Sequence, residues 1–343
     1  MFAKKVVLSL AASLLALNVL FLPEAFACVD TTLRDAAFDE ARDVHRLCVM
    51  SNAQDPEGQE IFSRLETWLK ESGRGLNVEL VRVDADAPET RWEQYGIPSA
   101  PPIFPVSVLA GYHAFERRSF LIEHWEPEPT ADDLESVRSS PAREAIQRET
   151  VRRVAVLLYI PGTGTDAGKT QPVIEAAVKT WEKREPLGLA VVRVERSDER
   201  EGVLISFTGV KPTGPDWVAA VFGRGKIMQP LTGNEITEAA LNELIEPLVG
   251  ECTCLRSPSS LGVDIPMVWD ESLDAAVVRL RSGAGTGFPW DNSLSASTTS
   301  SPIERRVFTT TLWTFAALVS AAVIGAGAIV WRKNRAHMPT PRA

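Results

Sequence analysis

The sequence predicts an α/β protein: two similar halves in tandem, followed by one C-terminal membrane-spanning helix. Three observations predict it. Strand-like and helix-like segments alternate, and their order in the first half recurs in the second. A run at 307–331 carries no charge and is rich in Ala, Val, Leu and Ile. The N-terminus has the layout of a secretory signal.

The chain opens with Met1-Phe-Ala-Lys-Lys5, a short positive start. An apolar stretch over 6–22 follows, then Pro23-Glu-Ala25-Phe-Ala27, with small residues suited to a cut after Ala27. Residues 1–27 therefore read as a signal peptide, since the stretch is short of the ~20 residues that a spanning helix needs. Cleavage leaves Cys28 first, the position of a lipidated cysteine, although Ala25 and Phe26 fit a lipoprotein signal poorly.

The first half is expected over 28–150. His45-Arg-Leu-Cys-Val-Met-Ser51 reads as a short strand. Pro56 opens a helix with Ile61, Leu65, Trp68 and Leu69 on one face, closed by Gly73. Asn77 to Asp84 alternates like a strand. Tyr95-Gly-Ile-Pro98 and further prolines mark a loop before the apolar run Val106-Ser-Val-Leu-Ala110. A strand at 119–123 and a helix over 130–139 complete this half.

The second half, over 151–255, repeats the order. Residues 154–160 form an apolar strand. Residues 171–184 are helical, with Val173, Ile174, Ala177, Val178 and Trp181 on one face. Leu189 to Val194 matches the earlier strand in place and character. Pro212 and Pro215 precede the run 217–222, and Gly223-Arg-Gly-Lys226 forms a hairpin turn. A strand returns over 227–231, Gly233 ends it, and an amphipathic helix covers 235–248. The stretch 256–281 has apolar content without a clear period and is expected to pack on the body. Gly, Ser, Thr and Pro dominate 283–302, a linker composition.

The apolar run that opens at Val307 and closes at Trp331 crosses a hydrocarbon layer ~30 Å thick at ~1.5 Å per residue. Arg332, Lys333, Arg335 and Arg342 follow it, so the positive-inside rule places the tail 332–343 in the cytoplasm. A cleaved signal demands the same orientation. The expected location is a cell membrane, crossed once, with the N-terminal mass outside the cytoplasm.

Across 343 residues the hydrophobic content is 45% and the net charge −9. The first is a globular composition. The second argues against nucleic acid as a partner, because phosphate binding needs a basic face. The four cysteines, Cys28, Cys48, Cys252 and Cys254, all fall on the exported side, where disulfides form. They are too few for a disulfide framework at this size.

Strand, helix, strand, proline-marked loop, hairpin and helix together resemble the thioredoxin core. The residues that carry the likeness are Val81-Arg-Val-Asp-Ala-Asp86, Tyr95-Gly-Ile-Pro98 and the proline before Val106. In the second half they are 217–231 with its glycine turn, Gly233 and the final helix. The resemblance implies a cis-proline at the strand after the loop, with Pro102, Pro105 and Pro215 as candidates. It also implies a Cys-x-x-Cys where the first strand meets the first helix, where a helix N-terminus lowers a thiol pKa. Here that place holds Ser51-Asn-Ala-Gln-Asp-Pro56 in one half and Pro161-Gly-Thr-Gly-Thr-Asp-Ala-Gly168 in the other, both without cysteine.

Four further features bear on chemistry. Gly162, Gly168, Lys169 and Thr170 lie between a strand and a helix, the context of a phosphate-binding loop, and the stretch is similar to the loop of dethiobiotin synthetases. Neither Gly162 nor Gly164 has the standard spacing, and the following strand does not end in an acidic magnesium ligand. The plain alternative is a glycine-rich connection. Cys252-Thr-Cys254 can form structural bonds with Cys28 or Cys48, exchange disulfides, or bind a soft metal. Cys48 sits in a strand among apolar neighbours and reads as a small hydrophobe, and His45 lies on the opposite strand face from it. His113 and His124 flank a hairpin and are expected in solvent. The acidic run of Glu126, Glu128, Asp132, Asp133 and Glu135 reads as a solvated helix start.

The expectation is a membrane-anchored extracytoplasmic binding or scaffolding module without catalysis, with an exported or membrane protein as partner and no cofactor. The alternative is a tethered thiol–disulfide exchange or metal-handling protein acting through Cys252 and Cys254.

Overall fold

The computed structural model describes residues 32–87, 90–101, 103–164, 168–250 and 257–281. The predicted signal peptide, linker, membrane helix (Val307 to Trp331) and tail lie outside these residues, as do Cys28, Cys252 and Cys254. No helix among the described residues is long and apolar enough to cross a membrane.

A short helix α1 (Leu33–Ala36) leads into β1 (His45–Ser51), α2 (Pro56–Glu71), β2 (Val78–Asp84), β3 (Val106–His113), β4 (Arg118–Trp125) and α3 (Ala131–Arg138). Then come α4 (Pro141–Arg152), β5 (Ala155–Ile160), α5 (Gln171–Arg184), β6 (Leu189–Arg193) and α6 (Gly202–Thr208). They are followed by β7 (Trp217–Phe222), β8 (Lys226–Met228), β9 (Leu231–Thr232) and α7 (Glu238–Val249). The chain then adds β10 (Gly262–Asp264) and α8 (Glu271–Arg281).

Local chemistry sets the helix starts. Asp55 accepts the Glu57 N–H at 3.1 Å, and Pro56 takes the first helical position. Thr130 and Asp133 form a capping box at α3, and Thr237 caps α7 by accepting from Ala240. That cap starts α7 later than the apolar period implies. Residues 233–235 instead make a 3-10 turn under their own Thr232–Glu235 box. The predicted strand 227–231 is split. Val221 pairs with Ile227 and Val218 with Leu231, so this side carries one residue more than its partner and bulges at Gln229-Pro230. Gly223 and Gly225 supply the positive φ that the preceding turn needs.

The first sheet has the order β2-β1-β3-β4, with β1 parallel to β2 and antiparallel to β3. The second runs β6-β5-β7-β8-β10 with the same directions around its central strand. This is the arrangement that the resemblance implies, and the fold is thioredoxin-like. The Phe104–Pro105 bond before β3 is cis, whereas Pro215 is not preceded by a cis bond.

Alternation along the central strands divides the cores. Leu47 and Val49 share one core with Ile61 and Leu65 of α2, Val156, Leu158 and Ile160 of β5, and Leu204 and Phe207 of α6. Cys48 and Met50 face the other way, against Val83, Ile97 and Val106. Leu157 and Tyr159 face a third cluster, with Trp181 of α5 and Leu241 and Ile245 of α7. Both faces of each central strand are therefore covered, which explains their unbroken apolar sequence. The first cluster draws on both halves, and all described residues up to Val277 belong to one compact unit. The expected boundary at 150 falls inside α4, which packs on β5, β6 and β7.

Candidate functional site

The β1–α2 junction is the place a thioredoxin reserves for its thiols. Ala85 donates to the Ser51 carbonyl at 3.0 Å, and Arg82 donates to the Ala53 carbonyl at 2.8 Å, so the turn is fixed at both ends. Across from it lie Asp86, Phe104 and Pro105, and the space between is a cleft of about 690 Å³ lined also by Asn52, Gln54, Asp55 and Glu57. Trp92 stacks on Phe104 with ring centroids 6.0 Å apart. One side carries amides and carboxylates, and the other carries the Asp86 carboxylate beside the apolar Phe104 and Pro105. It offers hydrogen bonds to a polypeptide and no nucleophile.

The described thiol does not serve this cleft. Cys48 is free, fully buried in β1, and burial pushes its pKa up to about 12. That leaves Cys48 out of the disulfide pairings open to it in the sequence.

The β5–α5 junction is built differently. The Gly162 N–H donates to Asp216 Oδ1 at 2.5 Å, and the Tyr159 hydroxyl reaches the same oxygen at 3.3 Å. Thr163 donates to the Gly214 carbonyl at 2.9 Å. Arg196 donates to the carbonyls of Pro161, Lys211 and Pro215. The turn is thus fastened to the 214–216 loop. A Cβ on Gly162 would come within 2.6 Å of the Asp216 nitrogen, which is why glycine stands there. Gly168, Lys169 and Thr170 follow in the same connection, and Thr170 precedes α5 without a side-chain cap. A carboxylate already occupies the Gly162 N–H, the kind of donor a phosphate would use.

A third cluster was not legible in the sequence. Lys226 Nζ lies 2.9 Å from Asp264 Oδ2 and 3.3 Å from Asp43 Oδ2, and all three side chains are buried. Each aspartate also accepts the other's backbone N–H, at 2.8 and 2.9 Å. Burial raises the pKa of Asp43, but Lys226 and the backbone donors outweigh it and hold it below the usual range. Burial opposes the charge on Lys226, and the two carboxylates raise its pKa above the ordinary value. Asp43 precedes the first sheet, Lys226 lies in the second, and Asp264 ends β10, so the triad joins both sheets. His45 belongs to this joint rather than to any ligand set. His113 is largely covered at 12% side-chain exposure, against the solvated position expected, whereas His124 is exposed at 59%.

No protein-family model matches the chain, and no curated protein matches it significantly. Solved structures similar to it include human ERp44 in a zinc-bound form, at 14% identity over 65% of this chain and 59% of that one, with a TM-score of 0.23. A domain of the alkylhydroperoxide reductase AhpF from Enterococcus faecalis is similar at 15% identity over 62% of this chain and 95% of that one, with a TM-score of 0.21. ERdj5 is similar at 10% identity over 67% of this chain and 32% of that one, with a TM-score of 0.23. The chain spans less than two thirds of the ERp44 and ERdj5 structures. At these scores the likenesses carry no functional argument, and the fold rests on strand order and direction.

Proposed function

We propose that this chain is a membrane-anchored, extracytoplasmic binding module built on two degenerate tandem thioredoxin-like copies, neither of which carries the thiol site. The observation behind this reading is the contrast of a retained cleft and an absent nucleophile. The β1–α2 turn still faces Pro105 across a cleft, but presents Asn52, Gln54 and Asp55 instead of cysteines. A fold is no warrant for an activity whose reacting atoms are missing. The partner is an exported or membrane protein that places a polypeptide segment in this cleft. The run from Val307 to Trp331 anchors the module, with its tail cytoplasmic.

The test uses the full chain in its membrane. With Gln54→p-benzoylphenylalanine, irradiation should give a discrete adduct to an exported or membrane protein, and insulin reduction should stay at background. No adduct from Gln54 overturns binding at the cleft. Insulin reduction that is lost in Cys252→Ser would move the function to Cys252 and Cys254.

A further inference from the structure

We propose that the segment 262–270 is an acid-released strap across the two halves, and that the neutral ring of His45 is the latch that holds it. The strap is fastened on both sides. β10 pairs with β8 of the second sheet, Gly262 opposite Met228 and Asp264 opposite Lys226. Beyond it, the Met267 N–H donates to Asn77 Oδ1 at 2.9 Å and the Trp269 N–H to the Gly75 carbonyl at 2.9 Å, both in the first half. Arg42 donates to the Met267 carbonyl at 2.8 Å, and Arg143 to the Pro266 carbonyl at 2.8 Å.

His45 closes this arrangement, and its hydrogen bonds fix its protonation state. The Tyr112 backbone N–H points at Nδ1 from 3.1 Å, so Nδ1 accepts and carries no proton. Nε2 lies 2.6 Å from the Asp264 carbonyl oxygen, so Nε2 carries the proton and donates. The ring is 0% exposed, and Phe207 of α6 packs against it edge-on at 5.7 Å. A second proton on Nδ1 would set two N–H groups against each other in a sealed site. The ring can take it up only by leaving, and leaving gives up the bond to the strap.

The charged groups acting on the ring are Arg42 and Asp43 from its own segment and Lys226 from β8, while Asp264 of β10 acts on it through its backbone carbonyl. Burial is the largest influence and lowers the His45 pKa to about 4; the hydrogen bond to the Asp264 carbonyl and the charge of Asp43 act against it, and Arg42 and Lys226 act with it. A released imidazole titrates near ~6.5. The released form therefore binds the proton at pH values where the closed form does not. The latch holds fully above the released value and weakens as pH falls towards about 4. Asp43, held low in the closed form, adds to release in acid. Asp264, raised by burial, opposes it. Release frees β10, whose Gly262 and Val263 line a groove of about 580 Å³ together with Phe207 and Trp217.

Hydrogen exchange of the full chain in nanodiscs, corrected for the intrinsic pH dependence, tests this. The amides of Asp264, Met267 and Trp269 should lose protection by roughly tenfold or more between about pH 6.5 and about pH 4.5, while those of β5 keep theirs. In His45→Gln, which keeps a donor and an acceptor but does not titrate, that step should vanish. If strap and β5 amides lose protection together in the wild type, or if His45→Gln keeps the step, the proposal fails. Should His45→Gln not fold, the wild-type ring decides by nitrogen NMR. His45 should gain its proton at the midpoint of strap release, and a ring still neutral beyond that midpoint overturns the latch.

Discussion

Between β1 and α2 the chain turns through Asn52, Ala53, Gln54 and Asp55 and faces a cleft of about 690 Å³. Between β5 and α5, at the matching place in the second sheet, Asp216 and Arg196 fasten the turn to the loop opposite. Strand order and direction are the same around both. Topology thus fixes where a junction lies, and the side chains of the facing loop decide whether it is a surface. In the first half the facing loop brings an apolar pair, Phe104 and Pro105. In the second it brings a carboxylate aimed at the turn's own amide.

The largest way to break this comparison is to remove what makes the two halves one body. Lys226→Met leaves Asp43 and Asp264 as facing buried carboxylates without their cation. Denaturant titration should show a loss of about 3–5 kcal/mol, the usual cost of breaking a buried ionic set from one side. An unchanged midpoint would mean that the halves are held by the shared apolar core alone. Next is Asp216→Ala, which orphans the Gly162 N–H and should cost about 1–3 kcal/mol. Exchange at Gly162 should quicken, turning the second junction towards the first. If Gly162 stays protected, Arg196 alone closes the turn. The smallest effect belongs to Asp55→Ala, which removes the α2 cap for about 1 kcal/mol. It should reduce stability and weaken the Gln54 adduct, since Asp55 also lines the cleft. An undiminished adduct would leave the Asp55 carboxylate a helix cap with no part in recognition.

Most of the strands and the helices α2, α3, α5 and α7 were readable because their signals are local. Val78 to Val83 alternates, α5 carries its apolar stripe through Ile174, Ala177 and Trp181, and Thr130 announces α3. Helices α1, α4, α6 and α8 and the strand β10 were not read, and two of the helices show why. α4 buries Ala142, Ile146 and Val151 in a run otherwise dominated by charge, although Ser140 and Pro141 signal its start. α6, Gly-Val-Leu-Ile-Ser-Phe-Thr, is short, apolar and partly β-branched, a composition in which periodicity cannot decide. The missing Cys-x-x-Cys was plain in the sequence. The clasp of Asp216 on Gly162 was not, since it spans 54 positions. The triad was hidden for the same reason, as Lys226 and Asp43 are 183 residues apart and each alone looks like a surface charge at a strand end. Burial of such groups is decided by pieces of chain that no local window contains.

The strap also orders events in time. A ribosome delivers the first half long before residues 262–270 exist. Until they arrive, the Asn77 side chain lacks the Met267 amide and the Gly75 carbonyl lacks the Trp269 amide. At the other end, α1 waits as well. The guanidinium of Arg34 donates to the carbonyls of Val151 and Arg153, more than a hundred residues downstream. The first half is therefore closed by the last described part of the chain, and the second half is covered by the first. The bonds between the strap and the first half can form only after synthesis has passed residue 269.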